Sequence, residues 1–404
     1  MIHWQNAAFD PTLALSDEAR QQLHALRDAD KDSIFRLANQ FEKQQAQPLI
    51  HQWMARQKMK EKLPFLCALD NTLFPPLVNL EQCSSEATAR YKASLYHGNT
   101  FVDLSAGLGV DAYFMAQQFT QGLLIEPDKT LVNIAAHNFF CLQQHNVQWA
   151  AGYTASSFLE NWEGQCDLLY IDPSRRTASK GRVVLLSDCE PNIPALLPTL
   201  FMHSQRIMLK TAPLLDIQQA IQQLSGVKEV HIVAWHQECK ELLFVLEKGY
   251  EGEVEIIAAE VANTEPVLFR YFLPEEKLAS SNFSEPATHL YEPAPALMKA
   301  GCFRLLCSRY GINKLEVNSH LYTSTEKIDS FPGRSFVIKD NIPVDKKQLQ
   351  ACLPQRQANL TLRNFPGSAA DLQKKLGLKD GGEYYVFATT TLNHKKRLLI
   401  CRKA

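Results

Sequence analysis

The sequence predicts an α/β protein built on a mostly parallel sheet, with a helical segment before the sheet and small α+β layers after it. Between residues 101 and 248, apolar strand-like stretches alternate with helical stretches, which is the pattern of right-handed β-α-β units. The last two stretches, 228–236 and 241–248, are joined by about four residues, a length that suits an antiparallel hairpin. We therefore expect a parallel sheet that ends in an antiparallel pair.

Length and composition limit the classes of protein to consider. A chain of 404 residues with 46% hydrophobic and 21% charged residues is expected to form two or three soluble domains. The start, MIHWQNAAFD, lacks the basic and apolar regions of a signal peptide, and no apolar run would span a bilayer. We expect a cytoplasmic protein with no membrane partner. Ten scattered cysteines without a CxxC pair predict no metal site.

The residues before the sheet are expected to be helical. Candidate helix starts are Ser16-Asp17-Glu18, Asp32 and Pro48, because serine, aspartate and proline are favoured at the first positions of helices. Ser84 or Ser85 is positioned to cap a further helix that leads into the first strand of the sheet. The N-terminus of that helix would lie close to a ligand bound at the end of the strand.

After the α/β region, strands and helices no longer alternate regularly. The predicted strands of the α/β region are 101–105, 122–126, 147–151, 167–172, 206–210, 228–236 and 241–248, with helices at 110–119, 127–145, 156–162, 191–204 and 216–225. After residue 250, two strand-like stretches precede a helix over 296–311. The residues from 357 onward read β-α-β-β, a unit of small α+β layers.

The stretch TFVDLSAGLGVD, residues 100–111, predicts a nucleotide-binding turn. Its strand ends in Asp103 and breaks at Ser105, Gly107 and Gly109 before the next helix begins. Glycines let the backbone approach a ligand closely, and the helix N-terminus offers free N–H groups. A purely structural tight turn would explain the two glycines as well.

Two further candidates follow the next two strands. Glu126 ends the second strand, 23 residues after Asp103, and an acidic residue about 20 positions on binds a ribose diol in nucleotide-binding folds. The alternative for Glu126 is a carboxylate that only stabilises the first turn of the following helix. Tyr153 follows the third strand, where an adenine ring could lie, although a core or surface tyrosine is an equal alternative.

The fourth strand ends in Asp172-Pro173-Ser174-Arg175-Arg176. Asp172 could orient an N–H group of a substrate, whereas the two arginines stay protonated and suit a phosphate or a base edge. Their alternative is a pair of solvated loop arginines. The loop 177–190 adds Lys180 and Arg182 and could grip a substrate.

Together, DLSAGLGVD, IEPD and LLYIDPSRR resemble class I S-adenosylmethionine-dependent methyltransferases, which have a Rossmann-like sheet. A dinucleotide dehydrogenase is not excluded by the glycine turn alone, but DPSRR favours the methyltransferase. The resemblance implies S-adenosylmethionine as the cofactor. The cofactor-binding residues it implies are Asp103, Ser105, Gly107, Gly109, Glu126 and Tyr153.

DPSRR stands where amino-group methyltransferases of nucleic acids carry (D/N)PP(Y/F). In that family the aspartate and the next carbonyl accept hydrogen bonds from the target amine, which implies a catalytic role for Asp172, Pro173 and Ser174. Ser174 and Arg175 depart from the motif, so the base-stacking aromatic is missing. Carbon-methylating RNA enzymes with related motifs use a cysteine after the fifth strand, where this chain has Lys210-Thr211-Ala212-Pro213. Cys189 is a poor substitute for that cysteine, and the target atom stays open.

Two other segments resemble parts of RNA-modifying enzymes. LEQCSSEATARYKA, residues 80–93, is similar to a cofactor-contacting segment of trimethylguanosine-synthase-like enzymes, which implies roles for Gln82, Ser85 and Glu86. Residues 290–306 and 357–390 resemble the ferredoxin-like segment and the THUMP-like domain of a bacterial group typified by Bacteroidetes proteins. THUMP domains bind RNA, often the acceptor end of tRNA.

The charge distribution is consistent with an RNA partner. Residues 341–404 carry twelve Lys or Arg and four Asp or Glu, whereas residues 251–290 carry eight Glu and two basic residues. A basic module on a nearly neutral chain suggests a polyanionic partner. The alternative is a solvated face of a small domain. Candidate phosphate contacts are Lys374, Lys375, Lys379, Lys395, Lys396 and Arg397.

From these observations we expect an S-adenosylmethionine-dependent methyltransferase that modifies a base of a structured RNA, either tRNA or rRNA, and that binds this RNA through its C-terminal module. A small-molecule or protein methyltransferase and a non-catalytic protein that binds S-adenosylmethionine and RNA remain alternatives. The expected domains are a helical segment (1–95), a methyltransferase domain (96–250), a ferredoxin-like α+β segment (251–325) and a THUMP-like basic domain (326–404).

Overall fold

The computed structural model describes residues 2, 4–6, 21, 31–38, 43–175, 186–262 and 265–404. The cap expected at Ser16-Asp17-Glu18, as well as Arg176, Lys180 and Arg182, lies outside the described residues. The chain divides into two compact units: the first comprises residues 1–230, 241–252 and 261–266, and the second comprises residues 231–240, 253–260 and 267–404.

The strands of the described residues are β1 (Trp4–Asn6), β2 (Gly98–Asp103), β3 (Phe119–Glu126), β4 (Val147–Ala151), β5 (Leu168–Ile171), β6 (Ser174–Arg175), β7 (Cys189–Glu190), β8 (Arg206–Thr211), β9 (Val227–Trp235), β10 (Glu238–Glu247), β11 (Glu255–Glu260), β12 (Val267–Phe272), β13 (His289–Pro293), β14 (Asn313–Lys314), β15 (Tyr322–Ser324), β16 (Gly333–Pro343), β17 (Asn359–Arg363), β18 (Tyr384–Thr390) and β19 (Lys396–Lys403). The α-helices span Lys31–Ala38, Lys43–Met59, Pro64–Cys67, Leu77–Gln82, Glu86–Ser94, Val110–Met115, Lys129–Cys141, Ala155–Leu159, Ile193–His203, Ile217–Gln223, Leu273–Leu278, Pro295–Ala300, Phe303–Tyr310, Lys346–Cys352 and Ala369–Leu376.

The sheet of the first unit confirms the expected α/β class. Its strands follow the order β1-β4-β3-β2-β5-β8-β10. Strands β4, β3, β2, β5 and β8 run parallel to one another, and β10 runs antiparallel to β8. The turn between β9 and β10 has positive φ at both His236 (52°) and Gln237 (60°), which is typical of a tight hairpin turn.

The core of the first unit lies on both faces of this sheet. Phe101, Leu124, Trp149 and Met208 have no exposed surface, and they come from four different strands. Helix Lys129–Cys141 supplies the buried ring of Phe139, which meets Trp149 edge-on with 5.4 Å between the ring centroids. Parallel strands covered on both faces are apolar throughout, which is why their sequences read as continuous hydrophobic runs.

The expectation of helices alone before the sheet is wrong at the start of the chain. Trp4–Asn6 forms a strand that pairs antiparallel with β4. Three residues are too few to show the alternating pattern of a strand, and the Trp4 ring is held in place by an edge-on contact with Phe158.

Several helix boundaries also differ from the expected ones. Asp32 is the second residue of its helix, where its charge favours the helix dipole, and Pro48 lies inside helix Lys43–Met59 instead of opening one. The single helix expected over 296–311 is divided at Gly301, which has a left-handed φ of 75° and ends helix Pro295–Ala300.

The second unit contains a seven-stranded sheet in the order β14-β15-β13-β16-β19-β18-β17 and a separate antiparallel pairing of β11 with β12. Strands β17 and β18 are parallel and flank helix Ala369–Leu376 in the chain, and β19 returns antiparallel to β18. This is the β-α-β-β order that the sequence predicts. Leu372 and Leu376 of the helix pack against Leu398 and Ile400 of β19. Within the described residues, no helix is both long and apolar enough to cross a membrane.

Candidate active site

A cleft of about 790 Å³ opens at the carboxyl ends of β2, β3, β5 and β8 in the first unit. This is the edge of an open α/β sheet where ligands bind, and the volume suits a nucleotide-sized molecule. The lining residues are Asn79, Gln82, Cys83, Ser84, Asp103, Leu104, Ser105, Ala106, Gly107, Leu108, Val110, Asp111, Glu126, Pro127, Leu131, Thr154, Ala155, Ser156, Ile171, Asp172, Pro173, Ser174, Glu190, Pro191 and Lys210.

The two glycines of the turn after β2 are required for different reasons. Gly109 has a φ of 79°, and a Cβ atom there would lie 2.7 Å from the ring of Phe139. Gly107 has a φ of 56°, but a Cβ atom there would meet nothing closer than a backbone oxygen at 3.9 Å. Gly109 is therefore needed for packing, whereas Gly107 leaves its backbone open toward the cleft.

Ser105 joins the ends of β2 and β5. Its Oγ accepts a hydrogen bond from the backbone N–H of Asp172 (2.7 Å) and donates one to Oδ1 of Asp103 (3.2 Å). The same Asp103 oxygen accepts the backbone N–H of Ser105 at 2.9 Å. Burial raises the pKa of Asp103 to about 8, and these two hydrogen bonds lower it only in part. A cation placed beside this buried carboxyl group would favour its ionised form.

Glu126 reaches across to the glycine turn. Its Oε2 accepts the backbone N–H of Gly107 and its Oε1 accepts that of Asp128, both at 2.9 Å. Burial raises the pKa of Glu126, and the two hydrogen bonds act in the opposite direction. Asp128 caps the next helix by accepting the N–H groups of Thr130 and Leu131, so Glu126 is not the capping residue.

Behind the cleft lies a buried network centred on Asp111. Oδ2 of Asp111 accepts hydrogen bonds from Ser84 Oγ (2.8 Å) and Tyr170 Oη (2.7 Å). Its carboxylate also lies 3.2 Å from Lys92 Nζ and 3.6 Å from Lys210 Nζ. Burial alone would raise the pKa of Asp111, but the two lysines outweigh it and lower the pKa to about 2. The ionised carboxylate therefore anchors both ammonium groups.

Lys210 extends this network to the cleft. Its Nζ lies 2.6 Å from Oδ2 of Asp172 and 3.2 Å from Oγ of Ser84. Burial would lower the pKa of Lys210, but Asp172, Asp111 and Glu241 raise it well above its ordinary value. An ammonium–carboxylate pair therefore stands at the edge of the cleft, with about a third of the Asp172 side chain (36%) exposed.

Two further residues of DPSRR form a short β-strand pair with the segment before the next helix. Ser174 and Arg175 form β6, which pairs antiparallel with Cys189 and Glu190 of β7. Pro173 and Ser174 line the cleft with Asp172. The Cys189 side chain is buried and does not belong to the cleft lining among the described residues.

The resemblance assigns Gln82, Ser85 and Glu86 to the cofactor, but Ser85 and Glu86 contact other parts of the protein. Gln82 lines the cleft, whereas Ser85 is buried and caps helix Glu86–Ser94 by accepting the N–H of Thr88. The Glu86 carboxylate accepts the N–H of Phe65 and also binds Arg90. Ser84, one residue earlier, is the serine that faces the cleft.

Tyr153 is not among the lining residues, although the next three residues, Thr154 to Ser156, are. Thr154 caps the short helix after β4 by accepting the N–H of Ser157. A ligand ring near the end of β4 would therefore meet Thr154 to Ser156. The assignment of Tyr153 to the cofactor stays a prediction.

Sequence reasoning missed the roles of four residues that line the cleft: Cys83, Ser84, Asp111 and Lys210. Asp111 and Ser84 lie within segments quoted for the resemblance, but nothing in their spacing signals that they meet. The Cys83 thiol donates to the backbone oxygen of Leu80, and burial raises its pKa. It is therefore unsuited to act as a thiolate nucleophile.

The six candidate phosphate contacts lie in two groups along the chain, one near the start of β17 and one at the end of β18. Helix Ala369–Leu376 carries Lys374 and Lys375 in its last turn, and the N–H and carbonyl of Lys379 pair with Arg356 and Ala358 just before β17 starts. Lys396 pairs with Thr390 at the far end of β18, the strand parallel to β17. The first group is Lys374, Lys375 and Lys379, and the second is Lys395, Lys396 and Arg397.

All ten cysteines are free thiols. Over the described part of the chain, no three His, Cys, Asp or Glu side chains are grouped so that they could hold a metal ion.

Two domain models match the C-terminal part of the chain. A ferredoxin-like domain matches residues 289–332, and a THUMP domain-like model matches residues 333–403. Among curated proteins, none matches the chain.

Solved structures match the chain at two levels of similarity, one over its whole length and one over less than half of it. A Porphyromonas gingivalis W83 protein described as a "putative methyltransferase" is 31% identical, with a TM-score of 0.86 over 96% of this chain and 98% of that one. M. capricolum TrmK in complex with S-adenosyl-homocysteine is 11% identical over 40% of this chain and 68% of that one (TM-score 0.32). An rRNA methylase of Streptococcus thermophilus is 13% identical over 40% and 93%, respectively (TM-score 0.29).

The P. gingivalis match covers nearly the whole of both chains, and the two domain models account for the C-terminal third. The sheet order, the antiparallel β10 and the glycine turn agree with a class I methyltransferase fold in the first unit. The chain belongs to the family of class I methyltransferases that carry C-terminal ferredoxin-like and THUMP-like domains.

Proposed function

We propose that this protein transfers the methyl group of S-adenosylmethionine to a base of a structured RNA, either a tRNA or an rRNA, and that its C-terminal module binds that RNA. The observation that carries the proposal is the cleft, in which the glycine turn and Glu126 adjoin Asp172 of the DPSRR segment. The bound cofactor would supply a methyl group already activated by a sulfonium, so the chain has to hold and align two reactants.

The described residues fit this cofactor. Glu126 offers two carboxylate oxygens at the end of β3, which suits a ribose diol. Gly107 leaves the backbone open toward the cleft. The buried Asp103 carboxyl group, whose pKa is raised to about 8, suits the ammonium of the methionyl part. Asp172 is left at the edge, where a substrate base could enter.

The second unit supports RNA as the substrate. It matches a THUMP domain-like model, and its lysines at 374, 375, 395 and 396 are all exposed. Exposed lysines on a small domain can neutralise phosphates without reading sequence.

Transfer of a labelled methyl group tests the proposal and separates the classes of substrate. The purified chain is incubated with tritiated S-adenosylmethionine and, in parallel, with RNA, protein and small-molecule fractions from cells that lack its gene. We expect label in the RNA fraction alone. Label in the protein or small-molecule fraction would favour those substrates instead, and cofactor binding without transfer to any fraction would favour a non-catalytic protein.

A further inference from the structure

The Asp172 carboxylate is paired with Lys210, a largely buried lysine that also contacts Ser84 and Asp111. Lys210 Nζ lies 2.6 Å from Oδ2 of Asp172, 3.2 Å from Ser84 Oγ and 3.6 Å from Asp111 Oδ2. The first two contacts are hydrogen bonds, and the third, to Asp111, is an ion pair that is longer than a hydrogen bond. The side chain is only 11% exposed, so the ammonium belongs to the protein interior and not to solvent.

Two of these acceptors, Ser84 and Asp111, are in turn held by other buried polar groups. Ser84 Oγ donates to Asp111 and accepts from Lys92, which in turn is bound to Glu241. The Lys92 side chain has no exposed surface, and that of Glu241 is 7% exposed. The backbone N–H of Asp172 is tied to Ser105. The carboxylate at the cleft edge is therefore oriented both through its main chain and through its Oδ2 atom.

This arrangement determines whether a substrate group that contacts Asp172 has to donate or to accept a hydrogen bond. Among the described residues, Lys210 is the only charged partner of its carboxylate, and the pair keeps Asp172 an acceptor. An ionised carboxylate has no proton to donate, so it would select a target atom that carries hydrogen. Lys210 cannot serve as the base, because its ammonium is stabilised by three carboxylates.

The alternative target atoms find less support in the cleft. Methylation of a pyrimidine carbon requires a thiolate that first adds to the ring. Cys83 is the cysteine in the cleft lining, and its thiol donates to the carbonyl of Leu80. The end of β8, near which such a cysteine would stand, carries Lys210, and the Lys210 ammonium is paired with Asp172.

We propose that Lys210 is a positioning residue that presents the Asp172 carboxylate to an N–H group of the target base, so that the enzyme methylates nitrogen. This inference rests on the proposed function. The nitrogen lone pair forms the new N–C bond while the C–S bond of the sulfonium breaks and leaves its electron pair on sulfur. The surplus proton on nitrogen passes to Asp172 and then to water.

The identity of the methylated nucleoside tests the target atom. RNA from cells that lack the gene is incubated with the wild-type chain and S-adenosylmethionine carrying a CD₃ group, digested to nucleosides and compared with standards by mass spectrometry. We expect the label on a ring or exocyclic nitrogen. Label on a ring carbon or a ribose oxygen would overturn this inference and leave the proposed function standing, whereas no label in RNA would overturn both.

A double-mutant cycle tests whether Lys210 acts through Asp172. Lys210→Met should lower kcat by about 100-fold, because a misaligned reacting group costs about that much, while the Kd for the cofactor changes by less than about threefold. Asp172→Asn should lower kcat on its own, and adding Lys210→Met to it should cost no more than about twofold further. Independent, multiplicative losses would overturn the positioning role.

A matched control separates this effect from the general loss of a lysine. Lys228 Nζ lies 2.8 Å from Oε2 of Glu247 in the same unit and lies outside the cleft lining. We expect Lys228→Met to leave kcat within about twofold of the wild type. An equal loss of kcat in both lysine variants would contradict a specific role for Lys210.

Discussion

The hydroxyl of Ser105 and the backbone N–H of Asp172 form a hydrogen bond of 2.7 Å, although 67 residues separate them in the chain. The same hydroxyl donates to Asp103. One small side chain thus connects the strand end assigned to the cofactor with the strand end assigned to the substrate. Under the proposed function, the relative position of the two reactants depends on this bond.

Replacement of Ser105 by alanine should therefore damage transfer more than cofactor binding. We expect kcat to fall by about tenfold or more, because the Asp172 main chain loses its anchor, and the free energy of unfolding to fall by about 1 kcal/mol. Steady-state kinetics and thermal melts measure both. Ser204→Ala is the control, since the buried Ser204 hydroxyl hydrogen-bonds to the main chain of Arg206 and Ser204 does not line the cleft. A variant of Ser105 with unchanged kcat would disprove the link.

Glu126 is predicted to carry much of the cofactor affinity. Replacement of Glu126 by alanine removes two charge-assisted acceptors and should weaken S-adenosylmethionine binding by about tenfold or more, measured by calorimetry. Glu160→Ala, an exposed carboxylate of the same unit, should leave Kd unchanged. If both variants bind equally well, Glu126 is only a structural residue of the glycine turn.

Asp103 should link cofactor binding to proton release. Its pKa of about 8 means that the carboxyl group is mostly neutral at pH 7, and an ammonium placed beside it would favour the ionised form. Calorimetry at pH 7 in two buffers with different ionisation enthalpies should report release of about one proton per cofactor bound. Asp103→Asn should abolish that release, and proton-independent binding by the wild type would contradict the placement of the ammonium.

The same group should affect stability in a definite pH range. The folded pKa of Asp103 is raised from 3.8 to about 8, so stability is fully present below pH 3.8 and is lost as the pH rises through 8. Asp103→Asn should therefore exceed the wild type in Tm by a margin that grows from pH 5 to pH 8 and levels off above pH 8, both without cofactor. A difference that is constant with pH would disprove this assignment.

The two glycines of the turn should respond differently to substitution. Gly109→Ala would bring a Cβ atom within 2.7 Å of Phe139 and should destabilise the fold by about 3 kcal/mol. Gly107→Ala should lower the free energy of unfolding by only about 1 kcal/mol, the cost of a left-handed alanine, because its Cβ atom would have open space. It should instead lower cofactor affinity, since that space belongs to the cleft. Equal effects of the two variants on Tm would contradict the packing argument.

The structure also explains what could and could not be predicted from sequence. Asp103, Gly107, Glu126 and Asp172 could be assigned because each stands where an apolar strand ends, and parallel strands end at one edge. The pairing of Ser84 with Lys210, 126 residues apart, leaves no local trace. Its members are polar residues of ordinary spacing, and they meet only because helix Glu86–Ser94 packs against helix Val110–Met115, which carries Asp111.

The basic residues illustrate the same limit. Composition identified an excess of lysine and arginine, but only the strand pairing separates Lys379 at the start of β17 from Lys396 opposite the end of β18. Likewise, three residues at Trp4–Asn6 are too few to reveal a strand, and its formation depends on the open edge of β4.

The central claim is that this cleft moves a methyl group onto RNA with Asp172 at the reacting edge. Single-turnover transfer of a tritiated methyl group to RNA, by the wild type and by Asp172→Ala at equal cofactor occupancy, tests it most directly. The account predicts transfer by the wild type and a loss of at least about 100-fold in the variant, with cofactor affinity retained. Transfer by Asp172→Ala at the wild-type rate would contradict it.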